Sequence, residues 1–352
     1  MPRAYPLSAL HASASGSRGR VVATTILAVI QTRFTQLMGI EHPVVLAGMA
    51  GATSPGLVAA VSEAGGLGIL GATGASTEEL ANLADSIRAK TQRPFGLNLL
   101  LHACDNNSIR SAVEAQPAVL STAWPRESQD LVSMFRVAHE QGVKVMHMVP
   151  TVNDAIKAVR AGADVIVAQG TDGGGHVGLM GTVVIVPMVV RAVPAVPVLA
   201  AGGISDGFGL AAMLALGAEG VLLGTRFLAT SEAPLHDAFK ELIVESDGTD
   251  TAVTDITDIL LGEDWPGALA RVRRNRVVER WLGRPNELRR RRDEVVARMR
   301  EARKNGDAEE AVLYSGQGSG LIQRIVPAAQ VVADMVQEAE GILTDRMPGI
   351  VR

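Results

Sequence analysis

Val165-Ile-Val-Ala-Gln-Gly-Thr-Asp-Gly-Gly-Gly-His-Val-Gly178 is the stretch on which the fold turns. A short β-rich apolar run, Val165 to Ala168, empties into a loop with five glycines and one histidine, His176. Glycine at that density lets the backbone come close to something flat or anionic. An imidazole just past a strand end is placed to handle a proton.

Working outward, short apolar runs alternate with helical stretches from Thr32 onward. The strands read as Val44–Leu46, Gly68–Leu70, Phe95–Leu101, Ala118–Leu120, Val143–Val149, Val165–Ala168, Val196–Ala200 and Gly220–Leu223. Helices fall between them. Ser54-Pro55 offers an N-cap followed by proline at the first helical position, and Ser76-Thr-Glu-Glu79 reads as a capping box. Eight strand–helix alternations of continuous apolar strands predict an α/β fold, a (β/α)8 TIM barrel rather than an open doubly wound sheet.

The barrel is expected over 32–248 and a small C-terminal helical subdomain over 249–320. A C-terminal helix returning to the barrel is expected within 321–352. The arginine-dense runs Leu269–Arg276 and Leu288–Lys304 are interleaved with acids and read as solvated helical faces. Residues 1–31 read as a disordered extension or a misassigned start. A signal or transit peptide is the alternative for that segment.

Composition narrows the function classes. A hydrophobic share of 47% against 20% charged supports a large core. A formal charge of −4 with 3% aromatic residues points away from nucleic acid. The early apolar run Val21–Ile30 is too short for a bilayer, which needs about 20 residues. A single cysteine, Cys104, excludes an intrachain disulfide and a cysteine metal cluster, and fits a cytoplasmic setting. No metal site and no membrane contact are expected, and the chain allows a homodimer.

Three matches to a dinucleotide fingerprint fail on context. Gly66-x-Gly68-x-x-Gly71 lies between a helix end and a strand, and Gly173-x-Gly175-x-x-Gly178 lacks the ribose-holding acid. Gly207-x-Gly209-x-x-Ala212 has Glu232 at the right distance, but on a predicted helix. Two glycine turns do cohere. Gly202-Gly203 after strand seven and Gly224-Thr225 after strand eight occupy the loops where such barrels bind phosphate through backbone N–H groups. Asn98 within strand three and Gln169 after strand six carry amides suited to the edge of a heteroaromatic ring. Gly48-Met49-Ala50 after strand one adds close backbone and a polarisable side chain. Flavin mononucleotide (FMN) would use that set. Of seven histidines, His176 stands out, His147 reads as a core or pocket-wall residue, and the other five carry no constellation.

Arg33-Phe-Thr-Gln-Leu-Met-Gly-Ile-Glu-His-Pro-Val44, Glu63-Ala-Gly-Gly-Leu-Gly68, Pro94-Phe-Gly-Leu-Asn98, the His176 loop, Ala201-Gly-Gly-Ile-Ser-Asp-Gly207 and Gly224-Thr-Arg-Phe227 together resemble the nitronate monooxygenase (2-nitropropane dioxygenase) family. Gly316-Gln-Gly-Ser-Gly-Leu-Ile322 before a terminal helix is similar too. The resemblance implies an FMN-dependent (β/α)8 enzyme with cofactor at Gly48, Met49, Ala50, Asn98, Gln169, Gly175, Gly202, Gly203, Gly224 and Thr225. It implies His176 as catalytic base.

The superfamily also includes NAD(P)H:quinone reductases and enoyl-acyl carrier protein reductases. Met148 stands where many relatives resemble one another in a lysine, Val149-Pro150 resembles the enoyl reductase text, and Gly173-Gly174-Gly175 replaces the usual Glu/Cys-Ala/Gly-Gly. The expected activity is oxidation of alkyl nitronates or nitroalkanes, small-molecule substrates, with dioxygen. The alternative uses NAD(P)H to reduce a quinone or an enoyl thioester. A flavin- or phosphate-binding scaffold without turnover is the third reading.

Overall fold

A computed structural model describes residues 30–350, so all but the last two residues of the expected N-terminal extension lie outside the described residues. The first six strands are β1 (Val44–Leu46), β2 (Gly68–Gly71), β3 (Phe95–Leu100), β4 (Val119–Ala123), β5 (Lys144–Val149) and β6 (Val165–Gln169). After a short strand outside the barrel, β7 (Gly175–Val177), come β8 (Val198–Ala201) and β9 (Val221–Leu223). Apart from β7 they form one parallel sheet in the order β1-β9-β8-β6-β5-β4-β3-β2. A parallel bridge from Val45 to Leu67, with Leu46 N–H donating to the Leu67 carbonyl at 2.9 Å, closes it. This is the expected barrel.

Alternation along each strand divides the core in two. Val45, Ile69, Val119, Met146, Val165, Val167, Leu199 and Leu222 fill the interior. Leu46, Leu97, Leu120, Val145, Ile166, Val198 and Val221 pack outward under the helices. Phe34 and Met38, from the helix Arg33–Met38, join the interior cluster. His147 belongs with the outward set. Its Nδ1 lies 2.8 Å from Thr122 Oγ1 and its ring 5.5 Å from Phe135. It is therefore a core residue and not part of a pocket wall.

Local sequence explains the helix starts. Ser54 accepts from Leu57 N–H at 3.2 Å to cap Pro55–Glu63, and Ser76 with Glu79 forms the reciprocal box of Thr77–Arg88. The helix predicted to carry Glu232 begins only at Asp237 and runs to Val244, so Glu232 lies ahead of it. The terminal helix Ala328–Gly341 packs on the helix Gly207–Ala215 so closely that a Cβ on Gly207 would lie 2.6 Å from Ala339 N and Met335 O. Glu232 accepts from Ala328 N–H at 3.0 Å. The third fingerprint is thus a helix-packing contact.

The segment expected to be a helical subdomain holds strands as well. It holds β10 (Thr251–Thr254) and β11 (Leu269–Arg273), which with β7 form a three-stranded antiparallel sheet in the order β10-β11-β7. Leu269–Arg273 is half of what reads as an arginine-rich helix. Yet Ala270 and Val272 alternate into a cluster with Ile256, Trp281 and Leu288, a period of two. Its partner, β7, lies far away in sequence, which is why short-range patterning misses it. The Leu288–Lys304 run falls on the helices Pro285–Arg290 and Arg292–Asn305, and arginines such as Arg291, with Glu294, pair locally.

Candidate active site

The strand ends and their loops bring every expected cofactor residue to one barrel mouth. Gly48 lies against Asn98, since a Cβ on the glycine would fall 2.3 Å from Asn98 Cβ. Asn98 Oδ1 accepts from Ser121 Oγ at 2.9 Å. Met49 Sδ lies 3.3 Å from where a Gly224 Cβ would be, with Ala50 following it in the turn after β1. Gly202 and Gly203 take φ of 105° and 70° and approach the β6 loop, Gly202 at Gly170 and Gly173, Gly203 at Asp172. Thr225 Oγ1 accepts from Gly316 N–H at 3.0 Å, bringing the Gly316–Leu321 turn to the same rim.

The glycine loop is held from three sides. Asp172 Oδ2 accepts from Thr182 N–H at 2.7 Å and Thr182 Oγ1 at 2.6 Å. Arg271 Nε donates to the Thr171 carbonyl at 2.8 Å, and Gln317 N–H to the Asp172 carbonyl at 2.9 Å. A Cβ on Gly174 would meet Gly316 N at 2.7 Å and Ser315 C at 2.8 Å, so this position must be glycine. Gly175, at φ 76°, has open space where a Cβ would lie.

Two features call for a ligand. Gln169 Oε1 and Ser315 Oγ are buried without a hydrogen-bond partner, a state that costs about 1–3 kcal/mol each unless something fills it. Among the described residues, the backbone N–H groups of Gly202, Gly203, Gly224 and Thr225 also make no hydrogen bond. Such a set suits an anion.

His176 is not on a free loop. Its strand pairs with β11, His176 opposite Ala270. Its Nε2 lies 2.8 Å from Asp258 Oδ1, which also accepts from Thr257 Oγ1 at 3.0 Å. A carboxylate only accepts, so Nε2 carries the hydrogen, and in the neutral ring Nδ1 keeps its lone pair. Nδ1 makes no hydrogen bond among the described residues. One face of the ring stacks on Trp265, centroids 3.4 Å apart and planes within 9°. Tyr314 lies 6.3 Å away, and burial pushes its hydroxyl up to about 12, so it stays protonated.

Sequence reasoning missed Asp258 and gave His102 no weight, although His102 lies 4.3 Å from Trp265. Burial holds the His102 imidazole below its ordinary range. The signal for Asp258 was an acid in Ile256-Thr-Asp-Ile-Leu-Leu261, a helix whose remaining text is apolar.

The model of the family described as "Nitronate monooxygenase" matches residues 31–124 and 104–338. The chain belongs to the nitronate monooxygenase family. A probable nitronate monooxygenase of Staphylococcus aureus (strain Newman) is 30% identical over 362 aligned residues, spanning 89% of this chain and 98% of its own. FabK from Thermotoga maritima superimposes with a TM-score of 0.79 at 36% identity, covering 92% of this chain and 100% of FabK. Nitroalkane oxidase from Streptomyces ansochromogenes gives 0.75 at 27% identity, over 88% and 99%. Nitronate monooxygenases are flavin-dependent oxidoreductases, and this chain is an enzyme of that class. No helix among the described residues is long and apolar enough to cross a membrane.

Proposed function

We propose that the enzyme oxidises alkyl nitronates or nitroalkanes with dioxygen, using FMN held across the barrel mouth and His176 as base. The unpartnered Gln169 Oε1, together with the unbonded N–H groups of Gly202, Gly203, Gly224 and Thr225, carries the cofactor assignment. Gln169 and Asn98 would hold the edge of the ring, Gly48, Met49 and Ala50 one side of it, and the four N–H groups the phosphate. Gly175 gives the ring room. Bound FMN supplies the electron-accepting and dioxygen-reducing chemistry.

His176 handles the proton. With Nε2–H fixed on Asp258, Nδ1 is free to remove the α-proton of a neutral nitroalkane. The carboxylate then faces the imidazolium so formed, as the aspartate does in a Ser-His-Asp triad. A base positioned in this way contributes about 10²–10⁴ in rate. A preformed nitronate has already lost that proton, and there the imidazole orients the nitro oxygens.

Purified protein should carry a flavin visible spectrum, and His176→Ala should keep that spectrum while losing nitroalkane turnover. Full turnover by His176→Ala, or a colourless protein that FMN does not reconstitute, would overturn the proposal. A second reading, NAD(P)H-driven reduction of an enoyl thioester or quinone, draws support from Met148 and Val149-Pro150. Met148 puts a thioether against the apolar interior cluster, where a lysine would bring charge. Rapid anaerobic bleaching of the flavin by NADH or NADPH would favour that reading over the first.

A further inference from the structure

We infer that Trp265 sets the substrate size this site accepts, a reading that rests on the proposed function for its first choice of probe. Trp265 sits in the connection between the helix Ile256–Leu261 and β11, flanked by Gly262 and Gly267, both at φ 71°. That connection reaches back over the barrel mouth. Its indole stacks on His176 at 3.4 Å, tilts against His102 beyond β3 at 4.3 Å, and meets Trp124 beyond β4 edge-on at 6.0 Å.

Polar ties fix it there. Arg126 Nη2 donates to the Asp264 carbonyl at 3.0 Å, its Nη1 lies 3.8 Å from the Asp264 carboxylate, and Trp265 Nε1 donates to Glu263 at 3.0 Å. The indole therefore covers one face of the imidazole that moves the proton and fills the space between it and the β3 and β4 ends. A substrate reacting at His176 lies beside this wall. Short nitroalkanes and nitronates fit without moving it, and a long alkyl or acyl chain directed toward β3 and β4 collides with it.

The test is kcat/KM across nitroethane to 1-nitrooctane for wild type, Trp265→Phe and Trp265→Ala, with the visible flavin spectrum checked for each. Trp265→Ala should raise the nitrooctane-to-nitroethane ratio by about tenfold or more, the range that pocket methylenes command, and Trp265→Phe should fall between. An unchanged ratio overturns the inference and leaves the function intact. If wild type turns over no nitroalkane, the function falls instead. The same ratio is then read with dodecenoyl and crotonyl thioesters and NADPH, where a gain supports the wall and no gain overturns it.

One readout needs no turnover. The emission of wild type minus that of Trp265→Phe reports this indole and its coupling to Trp124, 6.0 Å away. Arg126→Ala should increase its quenching by acrylamide, and unchanged quenching would show that the connection is not what holds the ring.

Discussion

Replacing Asp258 by asparagine separates a base held in register from a histidine that is merely packed. The side chain keeps its size, so His176 stays on β7 with β11 beside it and Trp265 over its face. What changes is the proton. Asp258 Oδ1, 2.8 Å from Nε2, can only accept, whereas an amide can offer N–H to Nε2 and favour the tautomer with hydrogen on Nδ1. In Ser-His-Asp enzymes this substitution costs about 10⁴ in kcat for that reason. The general base's own contribution of about 10² sets the lower bound here. The expected loss in kcat/KM for a neutral nitroalkane is therefore about 10²–10⁴, or about 2.7–5.4 kcal/mol at 1.36 kcal/mol per decade. A preformed nitronate needs no deprotonation, so its kcat/KM should fall less than about tenfold. Oxygen consumption with each substrate form reads the difference, and an unchanged flavin spectrum shows that the cradle is intact. Equal losses on the two forms, or nitroalkane turnover at the wild-type level, would refute the tautomer reasoning.

Other positions give independent checks. Gly174→Ala drives a Cβ into the Ser315–Gly316 backbone at 2.7–2.8 Å. It should cost about 1–3 kcal/mol of stability and lower the flavin-to-protein absorbance ratio, and a normal ratio with normal Tm would contradict the packing. Burial pushes the Cys104 thiol up to about 11. Its labelling by Ellman's reagent should keep rising with pH beyond the ordinary thiol range, and a plateau near pH 9 would show the thiol to be unperturbed. Burial lowers His147 to about 4, so the unfolded chain binds its proton near 6.5 while the folded chain does not. Stability is then full above pH 6.5 and falls by about 3 kcal/mol on acidification toward pH 4. His147→Met should flatten the urea-midpoint slope in that window, while Thr122 keeps its bond to the Met146 carbonyl; an undiminished slope would reassign the acid sensitivity.

The residues gathered at the barrel mouth were legible in the sequence because each is written locally. Strand ends fall beside glycine turns, and Gln169, Gly202 and Gly224 stand within a residue or two of the run that positions them. The surroundings of His176 were not legible. Asp258 lies 82 residues from it, and the pairing of β7 with β11 has no short-range signature. Arg271 and Arg273 hid the alternation of β11, since Arg271 spends its charge on the Thr171 carbonyl and Thr251 hydroxyl instead of on solvent. Trp265 was visible as a residue but not as a contact. The helical reading of 249–320 did not separate it from Trp281, which lies in the subdomain cluster.

This division also explains why cofactor and substrate are separable in such a fold. The proposed FMN cradle would use backbone N–H groups, glycines and two amides, all supported by the closed barrel, where a shift in one strand disturbs its neighbours. The His176 end is built differently. His176 departs from the barrel on β7, and β11, Asp258 and Trp265 all come from one excursion inserted after the last barrel strand. A change in the length or text of that excursion can re-aim the imidazole, alter its tautomer or remove the aromatic wall without touching the interior layers of Val165, Val167 and Leu199. Loops on a rigid scaffold vary at least stability cost. On the proposed function, swapping 249–320 between relatives should therefore transfer chain-length preference while flavin content stays fixed.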